Sequence, residues 1–235
     1  MHDHPPGLIG ILSGDLARYA AFTQSLLGLM AHLPPGTHGT WVQSQWVARA
    51  VNTIIRQMRP EDQWCMVWAD DHTFEPDILL RLLDHDLPLV APLCPLRIPP
   101  FGPSLFHATE GGFVSYTATE LEGKTGLLPV DTFGGPGCVI RREVIETLGM
   151  PFFQNSPAEQ EVPQEDLWTF NRCRLAGFQP TVDLDCPIGH CITAILRPHR
   201  NPEGQYGTAV QIATETVGVL YPHQALNAQA YHAYT

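Results

Sequence analysis

The stretch that decides the fold is Trp64-Cys65-Met66-Val67-Trp68-Ala69, followed at once by Asp70-Asp71-His72. Six successive uncharged residues leave no side of a strand for water, so the run belongs in the middle of a parallel sheet, covered on both faces. The three polar residues come at its carboxyl end, where open α/β sheets hold their ligands. Upstream, GLIGILSG (7–14) reads as a buried strand. Asp15 reads as the cap of a helix over LARYAAFTQSLLGLMAHL (16–33), which Pro34-Pro35-Gly36 stops. GTWVQSQ (39–45) reads as a second strand and VARAVNTIIRQM (47–58) as a second helix. Downstream, PDILLRLLDH (76–85) gives a short helix and LPLVAPL (87–93) another buried strand. Strands and helices in alternation predict an α/β fold, an open and mostly parallel sheet with helices on both faces.

From 95 to 133 the chain turns to Pro, Gly, Thr and Glu, with alternating pieces such as GFVSYTATEL (112–121) that predict a small β-hairpin region on the rim. VIRREVIETLG (139–149) reads as a helix, EDLWTFNRCRLAGF (165–178) as an amphipathic helix closed by Gly177, and TVDLDCPIGH (181–190) as a strand. Beyond Pro198 the chain is polar and weakly patterned. With no repeat and no long linker, one domain is expected over 1–235, made of halves at 1–94 and 95–200 and a tail at 201–235.

The chain has 235 residues, with 13 Lys+Arg against 24 Asp+Glu for a formal charge of −11. That balance argues against a general binder of phosphate backbones, which needs a dominant basic face. The longest apolar run, SLLGLMAHL (25–33), falls short of the roughly 20 residues a bilayer span requires. No basic stretch leads into it, so a soluble protein with no membrane partner is expected, in the cytoplasm of a bacterium or a phage-infected host. Six scattered cysteines read as reduced thiols. Cys186, His190 and Cys191 lack the C-x-x-C pair of a structural zinc site.

On a continuing strand Asp70 and His72 share a face while Asp71 points away. A carboxylate and an imidazole there make half of a divalent metal site, suited to manganese or zinc more than to magnesium. His190, after Gly189 at the end of another strand, could supply a third ligand. The competing readings are an Asp-Asp-His turn that merely caps the next helix, and a packed histidine. Glu165 and Asp166 look, on local pattern alone, like the first turn of a helix. Phe133-Gly134-Gly135-Pro136-Gly137 lets backbone pass close to a bulky ligand, or forms a tight turn. Arg197, His199 and Arg200 could close over a diphosphate, or be a solvated basic turn.

In chain order, WADDHTFEPDILLRLL, TFGGPGCVIRREVIETLG, EDLWTFNRCRLAG and IGH resemble the motifs of metal-dependent GT-A-fold glycosyltransferases, family 2-like and of the short soluble type found in phages and bacteria. The resemblance covers about residues 46–191. It implies a nucleotide-diphospho-sugar transferase fold, with 1–94 as the nucleotide-sugar-binding half and 95–200 as the acceptor and catalytic half. It implies transfer of a sugar from a nucleotide-diphosphate (UDP-type) donor to a hydroxyl, by inversion, with Mn2+ or Mg2+ as cofactor. Asp70, His72 and His190 would hold the metal; Asn52, Asp70, Asp71, Gly135, Arg197 and Arg200 would bind the donor; Asp166 would be the general base, with Glu165 beside it. The chain departs from the family at His72, where Asp is usual, and at Val51, where Arg usually precedes Asn. The acceptor stays open among a protein, a glycan, a small molecule and a hydroxymethylated base of phage DNA. Two rival functions are a nucleotidyltransferase, for which LIGILSGDLARYA offers only Arg18, and a non-catalytic nucleotide-sugar-binding module.

Overall fold

The computed structural model describes residues 3–14, 19–44, 46–99, 101–110, 112–154, 165–212 and 215–220. Asp15 and Arg18 lie outside the described residues. The first part of the chain runs β1 (Leu8–Ser13), α1 (Ala20–Met30), β2 (His38–Gln43), α2 (Val47–Ile55), β3 (Trp64–Ala69), β4 (His72–Thr73), α3 (Ile78–Asp84) and β5 (Leu89–Leu93). Then come β6 (Leu105–Thr109), β7 (Gly112–Ser115), α4 (Ala118–Leu121), β8 (Leu127–Pro129), β9 (Thr132–Phe133), β10 (Val139–Arg141) and α5 (Arg142–Leu148). The last elements are α6 (Glu165–Leu175), β11 (Thr181–Pro187), β12 (Gly189–His190), β13 (Ile195–Arg200), β14 (Tyr206–Ile212) and β15 (Glu215–Leu220).

The central sheet has seven strands in the order β2-β1-β3-β10-β5-β11-β8. β1 is parallel to β2 and β3, β11 is parallel to β5, and β10 is antiparallel to both its neighbours. The expected fold class, an open and mostly parallel α/β sheet with helices on both faces, is therefore the one observed. Val139–Arg141, read as the start of a helix, is a strand that fills the gap between β3 and β5 before α5 begins.

Strand alternation sorts the core into two layers. Leu8, Cys65, Val67, Leu89, Ala91 and Ile140 pack with Val51 and Ile54 of α2, Val144 of α5 and Phe170 of α6. Ile9, Ile11, Met66, Trp68, Val90 and Val139 face the other way, onto Phe22 and Leu29 of α1 and Ile78, Leu79 and Leu82 of α3. β3 contributes to both layers, so neither face can be wetted; each such side chain fully buried stabilises by about 1.5–3 kcal/mol. The sheet order reverses at β1, with β2 on one side and β3 on the other, and Leu12 lies opposite Ala69 at the carboxyl ends. Asp70 thus leaves the sheet at its topological switch point.

The rim holds a three-stranded sheet, β7-β6-β9. Only the first part of GFVSYTATEL is strand. Thr117 and Glu120 close a reciprocal capping box, and α4 follows instead of a second arm. By its contacts the chain divides into two compact units, one of 1–96 with 102–191 and the other of 97–101 with 192–235. In the second unit, the stretch read as a weakly patterned tail forms the antiparallel sheet β13-β14-β15, with Gly207 and Ala209 turned inward on β14. No helix among the described residues is long and apolar enough to cross a membrane.

Candidate functional site

β3 stops at Ala69, and residues 70–71 form a turn before β4. β4 pairs antiparallel with β12, which sets His72 opposite His190 and Thr73 opposite Gly189. Gly189 is needed there, because a Cβ would come within 2.3 Å of Thr73 Oγ1. The two imidazoles stack with centroids 4.3 Å apart and planes at 30°. The turn is held from the other side by the Cys191 N–H, which donates to the Asp71 carbonyl at 2.6 Å.

The turn changes which carboxylate meets the histidines. Alternation along a continuing strand puts Asp70 with His72 and sends Asp71 elsewhere. Because the strand ends one residue earlier, Asp71 Oδ1 lies 2.8 Å from His72 Nδ1 and its Oδ2 lies 3.3 Å from His190 Nε2. Burial alone would raise the Asp71 carboxyl, but hydrogen bonds to His190 and His72, and the charge of both, hold it well below the usual carboxylate range. His72 Nδ1 also lies 3.3 Å from the Ala69 carbonyl, and His190 Nδ1 lies 3.0 Å from the Pro95 carbonyl. His72 is 3% exposed, and its Nε2 has no hydrogen-bond partner among the described residues.

One ligand atom from each of His72, Cys94 and His190 lies within 4.8 Å of the others, so these three could hold a metal ion. Asp70, half-buried on the turn, is not in that group. Cys94 was not singled out from the sequence. Its signal was its place directly after the buried run LPLVAPL, the same strand-end position that drew attention to Asp70. Burial, and then the charge of Asp71, push its thiol up to about 12.

The glycine loop connects this corner to α6. Ser104 N donates to the Cys94 carbonyl at 2.8 Å, and Gly134 N donates to the Ser104 carbonyl at 2.9 Å. Gly135 N then donates to Asp166 Oδ2 at 3.2 Å, while Leu167 N donates to Oδ1 at 2.8 Å. Burial pushes the Asp166 carboxyl up; the Leu167 and Gly135 N–H groups oppose this only in part, and the Glu165 charge adds to it. Gly137, at φ +69°, crosses the face of Trp68 so closely that a Cβ would sit 2.3 Å from the ring. The expectation of close backbone approach is met here by protein side chains.

The other expected residues fall elsewhere. Asn52 is buried on α2, where its amide donates to the Phe153 carbonyl at 2.8 Å and its Oδ1 accepts from Phe153 N at 3.0 Å. Both ends of the side chain serve as a clamp on a distant backbone. Glu165 is half-buried at the start of α6. Arg197 and Arg200 are exposed on β13 of the second unit, where Arg197 Nε donates to Gln211 Oε1 at 2.9 Å.

No family model matches the chain, and no curated protein does. Solved structures do match. A197 from STIV is similar over 92% of this chain and 99% of its own, with a TM-score of 0.52 and 11% identity. GalNAc-T7, determined with UDP, GalNAc and Mn2+, is similar over 79% of this chain with a TM-score of 0.57 and 11% identity; the match spans 43% of GalNAc-T7. At such identity the likeness is one of fold.

Proposed function

We propose that the chain is a metal-dependent glycosyltransferase, which moves a sugar from a nucleotide-diphosphate donor to an acceptor hydroxyl. The observation that carries this reading is the meeting of His72, His190 and Asp71 at the carboxyl end of β3, beside the switch point of a GT-A-type sheet. The GalNAc-T7 structure with UDP, GalNAc and Mn2+ supports nucleotide-sugar and metal use through the shared fold. The residues also fit a divalent ion: two imidazoles whose Nδ1 atoms face acceptors, one of them with an orphaned, buried Nε2. When bound, such an ion neutralises the negative charge that gathers on a departing diphosphate. His72 and His190 would hold it, Asp71 would orient His72 and the Pro95 carbonyl would orient His190, and Asp70 would face the donor from the turn.

Asp166 is the proposed base for the acceptor hydroxyl. A carboxyl raised by burial accepts a proton more readily than a surface one, provided that it is ionised at the working pH. The Gly135 N–H fixes the orientation of that carboxylate. Glu165 would add charge beside it without touching the reacting atoms. Asn52, Arg197 and Arg200 carry no step of this reading. The acceptor is proposed to be a soluble protein, glycan or small molecule, since a formal charge of −11 opposes a DNA duplex.

Thermal unfolding with nucleotide diphosphates and nucleotide sugars, with and without a divalent ion, tests the proposal. A true donor at about 100 times its Kd adds about 2.7 kcal/mol of stability. The Asp71→Asn and His72→Ala proteins should lose that gain. No stabilisation by any nucleotide in the presence of any divalent ion refutes the transferase reading.

A further inference from the structure

We infer that Cys94 completes a His2Cys centre with His72 and His190, and that this centre takes zinc-type ions (Zn2+ or Co2+) in preference to manganese or magnesium. The inference rests on the metal half of the proposed function and is independent of sugar transfer. It differs from the manganese expected from the sequence because it turns on a thiol that the sequence reading passed over.

The first argument is geometric. Tetrahedral bonds of about 2.0–2.3 Å place neighbouring ligand atoms roughly 3.3–3.8 Å apart. One nitrogen of each imidazole and Cys94 Sγ already lie within 4.8 Å of one another, so closing by about 1 Å would bring them to that separation. The positions are set by backbone: His72 and His190 by the β4–β12 pairing, and Cys94 by the end of β5. Pro95, the next residue, supplies the carbonyl that accepts from His190 Nδ1. One stretch of chain therefore provides a ligand and the partner that orients another.

The second argument is about protons. The Pro95 carbonyl can only accept, so His190 Nδ1 carries the hydrogen in that contact, and its Nε2 faces Asp71 Oδ2 at 3.3 Å, a contact that needs either a second proton on the ring or a cation. His72 Nδ1 likewise faces the Ala69 carbonyl and the Asp71 carboxylate, which leaves the lone pair on its buried Nε2. A lone pair opposite a carboxylate oxygen is attractive only when a proton or a cation lies between them. Two imidazoles of the same tautomer, each fixed through Nδ1 by an oxygen, present Nε2 as metal-binding histidines do. A thiolate beside them is a soft donor, and soft donors select zinc-type ions over oxygen-seeking manganese and magnesium.

The test uses the full-length chain, stripped with a chelator and reloaded with Co2+, with circular dichroism to check that each variant is folded. The expected result is one cobalt ion per chain with a near-ultraviolet thiolate-to-cobalt absorption band, displaced by Zn2+ but not by equal Mn2+. Cys94→Ser should abolish the band and weaken zinc binding at least about tenfold, the lower end of what even an outer-sphere partner contributes. His72→Ala should remove cobalt altogether. Cobalt bound without the band, or Mn2+ competing equally with Zn2+, overturns the cysteine assignment and leaves the donor reading standing. A normal band in a protein that binds no nucleotide sugar overturns the transferase reading and leaves this one standing. No bound ion at all would show that a proton bridges the histidines and Asp71, and would overturn the inference.

Discussion

Asn52 offers the sharpest separation between a donor contact and a structural clamp. Its side chain is 6% exposed and bonded at both ends to the backbone of Phe153, 101 residues away. Asn52→Ala leaves one buried N–H and one buried carbonyl without partners, at about 1–3 kcal/mol each. The expected loss is therefore about 2–6 kcal/mol, a large share of the 5–15 kcal/mol typical of a domain. Asn52→Asp tests the same contacts through pH. An ionised Asp would set a carboxylate oxygen against the Phe153 carbonyl, whereas the protonated form can donate to that carbonyl and accept from the Phe153 N–H. The folded pKa of the new group thus lies above its unfolded value. The stability that its proton supplies is complete below the unfolded value and is lost as pH rises through the folded one. Urea unfolding at about pH 5 and about pH 8 should show the Asn52→Asp protein losing stability with rising pH, relative to wild type. An Asn52→Ala protein within about 0.5 kcal/mol of wild type, or an Asn52→Asp protein indifferent to pH, would refute the clamp. Weakened nucleotide binding with unchanged unfolding would reinstate the donor contact expected from the sequence.

Gly137→Ala should destabilise by about 2–5 kcal/mol in urea: about 1–2 for a left-handed alanine and about 1–3 for overpacking. Its Cβ would press on Trp68, which is 0% exposed and stacked on Phe74 at 3.8 Å, whereas Gly14→Ala, with nothing within 4 Å, should be near neutral. Since burial raises the Asp166 carboxyl, the acid limb of kcat should lie above the ordinary carboxylate range; a limb near the usual value of about 3.9 would argue against Asp166 as the base. Asp166→Asn should abolish turnover while leaving cobalt and nucleotide binding in place. Of the six free cysteines only Cys191 is half-exposed, so a thiol reagent should modify one group quickly in the native protein and all six in urea; rapid native labelling of Cys65, whose thiol is pushed up to about 12, would contradict the packing.

The fold was legible because β3 has no polar face and because the alternation of Cys65, Met66, Val67 and Trp68 fills both core layers. β10 was not, since three residues, Val139-Ile140-Arg141, run without a break into α5 and offer too short a period to tell strand from helix. The end of the hairpin at Thr117 was written in the sequence as T-x-x-E, a capping box, and was masked by the alternation before it. In the site, His72 and His190 were legible as residues at strand ends. Cys94 was not, because its relation to them exists only once β5 is placed beside β11 and β12 is paired with β4.

The exchange of Asp70 for Asp71 has a physical meaning beyond a missed boundary. Had β3 continued, Asp71 would point to the opposite side of the sheet, and only Asp70 would share a face with His72. Ending the strand at Ala69 turns Asp71 back across both rings, and the Cys191 N–H secures the new path. The same arrangement leaves His72 Nε2 buried with no partner, at a cost of about 1–3 kcal/mol. The other ring nitrogen is engaged, with His72 Nδ1 2.8 Å from Asp71 Oδ1, so the penalty falls on Nε2 alone. A local pattern broken together with an orphaned lone pair is the kind of local conflict that marks a candidate site. The fold supplies the sheet end on which many chemistries are possible, and this turn is where the proposed cation site gathers its residues.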